Sequence, residues 1–260
     1  MKAIKFIFYS LLLIVLVSCS FSKNRQQEDK SNSITEISDT LKIDTLNVSF
    51  DSVSNGQSTM YFVNDTTCCG QGINFTTISP NDFPKGIEYE GKIKNAVDWT
   101  DKMGKNIVIL TETAAYRDRN YEADDWSYKA ELFAYHFVIN GDSLSRIWRI
   151  YDFVPDCILD ITAEFVENTF NITDLNNDGY AEIWLMYRVD CLGGADPVTT
   201  KIIMYEGQQK YAIRGVSKVA IGTKEFTGGE YKCSQSFVEG PKVFLDYALC
   251  LWNKNIIYYY

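Results

Sequence analysis

From residue 59 to the C-terminus, apolar residues form short runs or alternate with polar ones, a pattern typical of β-strands. Residues 106–113 (NIVILTET) are rich in β-branched side chains and follow Gly104. Residues 131–139 (ELFAYHFVI) and 142–153 (DSLSRIWRIYDF) flank Asn140-Gly141, which predicts a β-hairpin on a type I′ turn. Both faces of the first of these two strands are apolar, so we expect it to lie centrally between two layers.

Two further strand pairs follow. Residues 163–173 and 181–190 flank a turn, and residues 201–205 and 210–214 flank Glu206-Gly207. The only helical periodicity that we find is in residues 95–103. The pattern therefore predicts an all-β, mainly antiparallel domain over residues 59–260, a β-meander packed as a sandwich or as a partial propeller.

The N-terminus has a different pattern. Lys2 and Lys5 precede an apolar run over residues 6–17, and Leu-Val-Ser-Cys closes it at Cys19. This arrangement is typical of a secretory signal, and the run is too short to span a bilayer. The last four residues resemble the bacterial lipobox, which implies that residues 1–19 are a signal peptide and that Cys19 is lipidated. We therefore expect a cell-envelope protein held by lipid to the outer membrane, on its periplasmic or surface face; the alternative is an ordinary signal peptide with a chance cysteine.

Residues 20–58 are polar and poor in aromatic side chains, so they cannot bury enough apolar surface to offset the entropy of ordering. We interpret them as a flexible tether. Three Asp-Ser/Thr-aliphatic tripeptides in it resemble the acceptors of general O-glycosylation in one group of Gram-negative bacteria, with Thr40, Thr45 and Ser52 as the acceptor residues. The alternative is a plain polar linker.

The chain is acidic, with a formal net charge of −9 that becomes about −11 once Lys2 and Lys5 leave with the signal. An acidic surface repels phosphate backbones, so we expect no nucleic-acid partner. The same carboxylates can bind divalent cations.

Seven cysteines are present, and six remain besides Cys19. An exported protein is exposed to an oxidising compartment, so disulfides are expected. The six cysteines allow fifteen complete pairings, and the sequence does not choose among them. Adjacent cysteines are expected to bond to different partners, because a bridge between neighbours strains the peptide. The candidates are Cys68, Cys69, Cys157, Cys191, Cys233 and Cys250.

The strongest chemical motif is DLNNDGYAE at residues 174–182. Oxygen-bearing side chains recur at every second residue and a glycine follows the third, a spacing that wraps a chain around calcium. The ligands are expected to be the side chains of Asp174, Asn176, Asp178 and Glu182 with the carbonyl of Tyr180. Position twelve is Leu185 where an EF-hand needs Glu, so the motif resembles the calcium loops of FG-GAP-type β proteins instead. The alternative is a hairpin turn that binds nothing.

Other candidates for chemistry are weaker. Glu122, Asp124 and Asp125 could form a sugar-processing pair of carboxylates, but an exposed acidic loop is the simpler interpretation. His136 has no Ser or Cys partner in the pattern, so we expect a hydrogen-bonded core or rim histidine. The five tryptophans could stack on sugars, although aromatic residues on strands usually belong to the core; they are Trp99, Trp126, Trp148, Trp184 and Trp252. Common catalytic motifs are absent from the sequence.

Several phrases together are similar to a family of Gram-negative lipoproteins described as surface polysaccharide biosynthesis proteins. They are residues 89–94 (YEGKIK), 99–101 (WTD), 130–136 (AELFAYH), 148–153 (WRIYDF), 174–187 and 204–207 (MYEG). The resemblance covers roughly residues 86–215. It implies a role in the production or display of surface polysaccharide, and it implies no reaction and no catalytic residue.

We therefore expect a non-catalytic envelope lipoprotein that supports surface polysaccharide by binding glycan or a biosynthesis protein. One alternative is an inhibitor or immunity lipoprotein that blocks a lysozyme-type enzyme; another is a glycan-processing enzyme. A glycan binder should expose aromatic side chains along one surface, an inhibitor should present a protruding loop, and an enzyme should place two carboxylates in one pocket.

Overall fold

The computed structural model describes Cys68 and residues 72–117, 127–222 and 225–259. The predicted signal peptide with Cys19, the tether with Thr40, Thr45 and Ser52, and Cys69 lie outside these residues. So do Trp126 and the acidic residues Glu122, Asp124 and Asp125. Predictions on those positions stay predictions.

The first sheet is antiparallel and has five strands in chain order. The strands are β1 (Thr76–Thr77), β2 (Lys92–Asp101), β3 (Gly104–Glu112), β4 (Tyr128–Asn140) and β5 (Ser143–Cys157). Each strand pairs with the next one, in the order β1-β2-β3-β4-β5. The predicted strand at 106–113 and the predicted hairpin at 131–153 are thereby confirmed. A type I′ turn is wrong, however, because it needs positive φ at two residues and only Gly141 has it in this turn.

The second sheet contains six strands, and a small third sheet closes one end. The second sheet comprises β6 (Asp160–Phe165), β7 (Asn171–Thr173), β8 (Glu182–Leu192), β9 (Thr199–Glu206), β10 (Gln209–Val216) and β13 (Tyr231–Cys233). Its order is β13-β10-β9-β8-β6, with β7 also paired to β8. The third sheet comprises β11 (Lys218–Ala220), β12 (Phe226–Gly228) and β14 (Ile257–Tyr258), and its β11–β14 pair is parallel. The predicted strand at 163–173 is therefore two strands, β6 and β7.

The main core lies between the first two sheets. Val97, Leu132 and Ile150 of the first sheet pack in one buried cluster with Leu185 and Ile203 of the second. This arrangement is an all-β sandwich, one of the two architectures that the sequence pattern left open.

The opposite face of the first sheet has a smaller core of its own. Phe133, Tyr135 and Phe137 point to this side of β4 and are buried under Phe83 and Ile87 from the segment before β2. Strand β4 therefore has apolar contacts on both faces, as its sequence predicts.

The helical periodicity in residues 95–103 does not give a helix, because residues 95–101 belong to β2 and residues 102–103 to the turn that follows it. Buried side chains at Ala96, Val97 and Trp99 fit a helical and an extended spacing about equally well. Pairing decides between them: β2 pairs with β3 in an antiparallel hairpin from Lys92 to Asp101, with one register shift between Ile93 and Asn95. The carboxylate of Asp101 then accepts the backbone N–H of Met103 (2.7 Å) and fixes the turn.

Two helices near the C-terminus were not predicted, α1 (Gln235–Glu239) and α2 (Lys242–Asn255). The buried side chains of α2 are Phe244, Tyr247, Ala248, Leu251 and Trp252, a spacing of three and four residues that is typical of an amphipathic helix. They pack in one cluster with Trp184, Met186, Ile202 and Met204 on the outer face of the second sheet. The domain therefore has two sheets with a helical layer on one side. No helix among the described residues is long and apolar enough to cross a membrane.

Two disulfides confirm the expectation for four of the cysteines. Cys157 at the end of β5 bonds to Cys191 in β8 and so joins the two sheets, and Cys68 bonds to Cys250 in α2. Cys233 lies half-buried in β13.

Candidate functional site

The predicted calcium loop connects β7 to β8. Asn177 and Gly179 have positive φ (57° and 84°), which turns the chain sharply at the centre of the motif. The positive φ of Gly179 favours glycine there, and a Cβ at this position would also displace the Lys102 side chain, whose Cε would lie 2.6 Å from it. The turn between β2 and β3 thus packs directly on the loop, and the Lys102 ammonium donates to the carbonyl oxygen of Asp178.

The alternating oxygen side chains of the loop point inward and accept its own backbone N–H groups. Asp174 Oδ2 accepts from Gly179 (3.0 Å), and Asn176 Oδ1 accepts from Asp178 (3.1 Å). Asp178 Oδ1 accepts from Tyr180 (2.8 Å). The second carboxylate oxygen of Asp174 is buried and has no hydrogen-bond partner. Because a buried polar atom without a partner costs free energy, this oxygen is expected to accept a hydrogen bond or to bind a cation.

Glu182 is fully buried at the start of β8. Its carboxylate accepts the hydroxyl of Thr173 (2.5 Å) and the backbone N–H of Leu175 (2.9 Å). Burial raises the pKa of Glu182 to about 7, and the negative charges of Glu206 and Asp174 raise it as well. This side chain ties β7 and the first residues of the loop to β8.

Glu206 is a fourth carboxylate of this cluster that the sequence interpretation missed. It is paired directly with Glu182 across β8 and β9, and its Oε1 accepts from the amide of Asn176 (2.8 Å). Burial, together with the charges of Asp178 and Asp174, raises the pKa of Glu206. The Glu206-Gly207 turn was predicted, but only the β8–β9 register brings this residue to the loop.

The structure brings Asp174, Asn176, Asp178 and Glu182 into one region, and Tyr180, whose carbonyl is the fifth predicted ligand, belongs to the same loop. In the part of the chain that the structure describes, no group of three or more His, Cys, Asp or Glu side chains is already placed to hold a metal ion. The donor set nevertheless fits calcium, because it consists of oxygens only and includes the unpartnered oxygen of Asp174.

His136 is a core residue, as expected. Its Nε2 lies 2.8 Å from Oδ1 of Asn106, and its ring stacks on that of Trp99 with centroids 5.7 Å apart. Burial lowers the pKa of His136 to about 4, and the nearby charge of Asp101 opposes this shift. His136 is therefore neutral at physiological pH and contributes to packing.

The four tryptophans that the structure describes do not form a sugar-binding surface. Trp99, Trp148, Trp184 and Trp252 are all buried, each with less than a tenth of its surface exposed. Their rings are packed inside the buried clusters of the domain, so the hypothesis that they stack on sugars is wrong for these four.

A different set of aromatic side chains is exposed on the outer face of the first sheet. Tyr116, Tyr151 and Phe153 are 38%, 41% and 41% exposed, and we refer to these three residues as the aromatic platform. Tyr151 stacks on Phe153 on one side and on the buried Phe133 on the other, with centroids 5.1 Å apart in both pairs. The platform therefore continues the small core of this face out to solvent.

A polar network holds the aromatic platform in place. Glu131 accepts the hydroxyl protons of Tyr116 and Tyr151, each at 2.6 Å, and pairs with the Lys129 ammonium at 2.8 Å. Burial opposes ionisation, but the hydrogen bonds from Lys129 and the two tyrosines lower the pKa of Glu131. Lys129 also lies over the Phe153 ring, and Arg149 lies over the Tyr151 ring. Two rings and the Lys129 ammonium are thus fixed around the Glu131 carboxylate. Arg149 is held separately, by an ion pair with Glu90 at 2.7 Å.

Part of the aromatic platform is visible in the sequence as an alternation along β5, which the sequence interpretation missed. Along β5, Trp148 and Ile150 are buried, while Arg149, Tyr151 and Phe153 alternate with them on the other face. Aromatic residues on the more polar face of an alternating strand are unexpected for a face that meets only water. The pairing of β4 with β5 was needed to place Glu131 opposite Phe153.

The chain matches no protein-family model, no curated protein and no solved structure. The likeness to surface polysaccharide proteins therefore stays an expectation.

Proposed function

We propose that this protein is a lipid-anchored envelope protein that binds surface polysaccharide without processing it and so supports its biosynthesis or display. The observation that carries the proposal is the aromatic platform. An exposed, rigid row of rings beside fixed polar groups is the surface that we expect for a glycan binder.

The chemistry of the aromatic platform suits a sugar chain. The flat face of a pyranose ring carries C–H bonds of slight positive charge, which pack on the negative face of an aromatic ring. The two tyrosine hydroxyls, Lys129 and Arg149 can exchange hydrogen bonds with sugar hydroxyls around the stacked ring. Stacking and Glu131 already fix the two tyrosines and Lys129, and Glu90 pairs with Arg149, so little rotamer entropy is lost when a glycan binds.

The remaining features have supporting roles in this proposal. Lipid on Cys19 anchors the protein to the outer membrane, and residues 20–58 give the domain reach from that surface. Calcium in the loop neutralises the clustered carboxylates of Asp174, Asp178 and Glu182 and joins β7 to β8. Its role is structural, since the loop has no nucleophile and no proton shuttle.

Deletion and complementation test the proposed function in cells. A deletion strain should show altered capsule or lipopolysaccharide profiles, and the wild-type chain should restore them. A Tyr151→Ala/Phe153→Ala chain should not restore them, although it is anchored and present in equal amount. The control is Phe226→Ala, which removes an exposed phenylalanine from β12. Normal polysaccharide in the deletion strain would refute the proposal.

One observation favours a second function, inhibition of a cell-wall lytic enzyme. The turn between β5 and β6 presents Ile158 and Leu159 to solvent, and the Cys157–Cys191 disulfide holds its base. A firmly held apolar turn is able to enter an enzyme cleft. This function predicts that the deletion strain becomes sensitive to a muramidase and that Leu159→Asp loses the protection, with polysaccharide unchanged.

A further inference from the structure

A cleft of about 460 Å³ lies where β6 and β8 meet the C-terminal segment. Its walls come from the end of β6, from Arg188 of β8, from Lys94 of β2, and from the end of α2 with the residues that follow it. The size is that of a pocket for a small ligand such as one or two sugar units.

Arg188 is the unusual group in this cleft. It is only 7% exposed, yet it has one hydrogen bond of good geometry, from Nη2 to the carbonyl oxygen of Asn255 at 2.9 Å. Its nearest carboxylate oxygen, on Glu164, is 3.9 Å from Nη1, which is too long for a hydrogen bond. The Nε atom is buried without a partner. A guanidinium has five N–H donors, so this one has donors to spare.

Burial disfavours the charge on Arg188 and lowers its pKa, but an arginine stays protonated in proteins. The face of the Tyr258 ring, 5.0 Å from the guanidinium carbon, compensates part of the charge. A planar carboxylate would compensate much more, because a guanidinium can bind it through two parallel hydrogen bonds.

The other walls indicate which carboxylate fits. Lys94 and Lys254 add positive charge, so the lining has three cations against the two anions Glu164 and Glu167 in a chain that is acidic overall. Phe165 and Tyr259 add aromatic surface on which a sugar ring can lie. The two glutamates can accept hydrogen bonds from hydroxyl groups.

We propose that this cleft binds the carboxylate of an acidic sugar, with Arg188 and Lys94 as the groups that recognise the charge. The identification of the ligand as a sugar rests on the proposed function, whereas the carboxylate site rests on the cleft alone. The aromatic platform would then bind the chain of a polysaccharide, and the cleft would bind an acidic unit or end.

Calorimetric titration of the full-length chain in detergent tests this inference with three probes. Glucuronic acid has the ring and the carboxylate, glucose has only the ring, and acetate has only the carboxylate. We expect glucuronic acid to bind at least about tenfold more tightly than either of the other two, because both groups contribute. Equal binding of acetate would overturn the sugar assignment, and binding of none of the probes would overturn the site.

Two lysines provide a matched pair of variants. Lys94 and Lys105 have side chains that are 53% and 54% exposed, and each pairs with one carboxylate of the first sheet, Glu112 and Asp98 respectively. Lys94→Gln should weaken glucuronic acid binding roughly threefold to tenfold, and Lys105→Gln should leave it unchanged. Arg188→Lys should weaken it about tenfold or more, because an ammonium keeps the charge but loses the planar fork. Equal affinity of the Lys94→Gln and Lys105→Gln chains for glucuronic acid would overturn the assignment of Lys94 to this site.

The aromatic platform separates this inference from the proposed function. Tyr151→Ala/Phe153→Ala should leave glucuronic acid binding intact while polysaccharide binding falls. Polysaccharide binding without glucuronic acid binding would overturn the cleft alone. Glucuronic acid binding without polysaccharide binding would overturn the proposed function alone. Release of new reducing ends from polysaccharide would overturn a binding-only role, since Glu164 and Glu167 would then act as an acid and base pair.

Discussion

The ring of Tyr151 stacks on the ring of Phe133 across β5 and β4, with centroids 5.1 Å apart and planes 15° from parallel. Phe133 is buried and Tyr151 is 41% exposed, so this contact joins the small core of the first sheet to its open surface. The exposed ring is held from below by packing and at its hydroxyl by Glu131.

Calcium should stabilise the domain through the loop at residues 174–182. At 5 mM calcium and a dissociation constant of about 0.1–1 mM, linkage gives about 1–2 kcal/mol of extra stability, or about 3–8 °C in Tm. Differential scanning calorimetry with calcium against EDTA measures this shift.

Asp178→Ala should abolish the calcium shift, because it removes one ligand and leaves the rest of the fold. The matched control is Asp142→Ala, which alters an exposed aspartate in the β4–β5 turn and should keep the full shift. Equal Tm values for the wild-type chain in calcium and in EDTA would reduce the loop to a simple turn.

Neutral His136 should make the domain less stable in acid. The pKa of His136 is lowered from 6.5 to about 4 in the fold, so the unfolded chain takes up the proton first as pH falls. Stability is therefore complete above pH 6.5 and is lost progressively down to pH 4, by roughly 3 kcal/mol for this one group. Urea unfolding across this window should show that the wild-type chain loses stability relative to His136→Gln. A constant difference between the two chains from pH 6.5 to pH 4 would contradict the burial of a neutral ring.

The Cys157–Cys191 disulfide should carry a measurable part of the stability. It closes a loop with a sequence separation of 34 residues and connects the two sheets through a fully buried Cys157. Replacing both cysteines by serine should lower the free energy of unfolding by roughly 2–4 kcal/mol. Urea denaturation without reductant measures the change; an unchanged midpoint would mean that packing alone joins the sheets at this point.

Cys19→Ala should release the protein from membranes or leave the precursor unprocessed, because lipid is the only anchor that we propose. Fractionation after high-salt and carbonate washes measures release from membranes, and labelling with a radioactive fatty acid measures lipidation. A Cys19→Ala chain that still fractionates with the envelope would show that the anchor lies elsewhere.

Much of the fold could be predicted from local pattern, because strand alternation and the turn glycines are local signals. The hairpin at residues 131–153 is an example: its alternation and Gly141 specify it without reference to the rest of the chain. Residues 95–103 show the limit, since their apolar spacing fits two periods and the pairing with β3 decides between them.

The helix α2 was not predicted for a different reason. Its stripe from Phe244 to Trp252 has the helical spacing, but it follows a long series of strands, so the β pattern was extended to the C-terminus.

The candidate sites likewise differ in how far local sequence pattern predicts them. The predicted calcium loop is contiguous in sequence, so its five proposed ligands could be named together, whereas Glu206 reaches the loop only through the β8–β9 register. The aromatic platform and the Arg188 cleft are built from side chains far apart in sequence. Tyr116 meets Glu131 through strand pairing, and Arg188 meets Asn255 through the packing of the C-terminal segment. No local pattern contains those contacts.

The most direct measurement is the affinity of the full-length chain in detergent for surface polysaccharide purified from its own source cells. The account predicts saturable binding that the Tyr151→Ala/Phe153→Ala chain weakens by about 30-fold to 150-fold, because two ring contacts of about 1–1.5 kcal/mol each are lost. Phe226→Ala, which removes an exposed ring elsewhere, should bind as the wild-type chain does. Equal affinity of the wild-type and Tyr151→Ala/Phe153→Ala chains would contradict the central claim that the aromatic platform binds glycan.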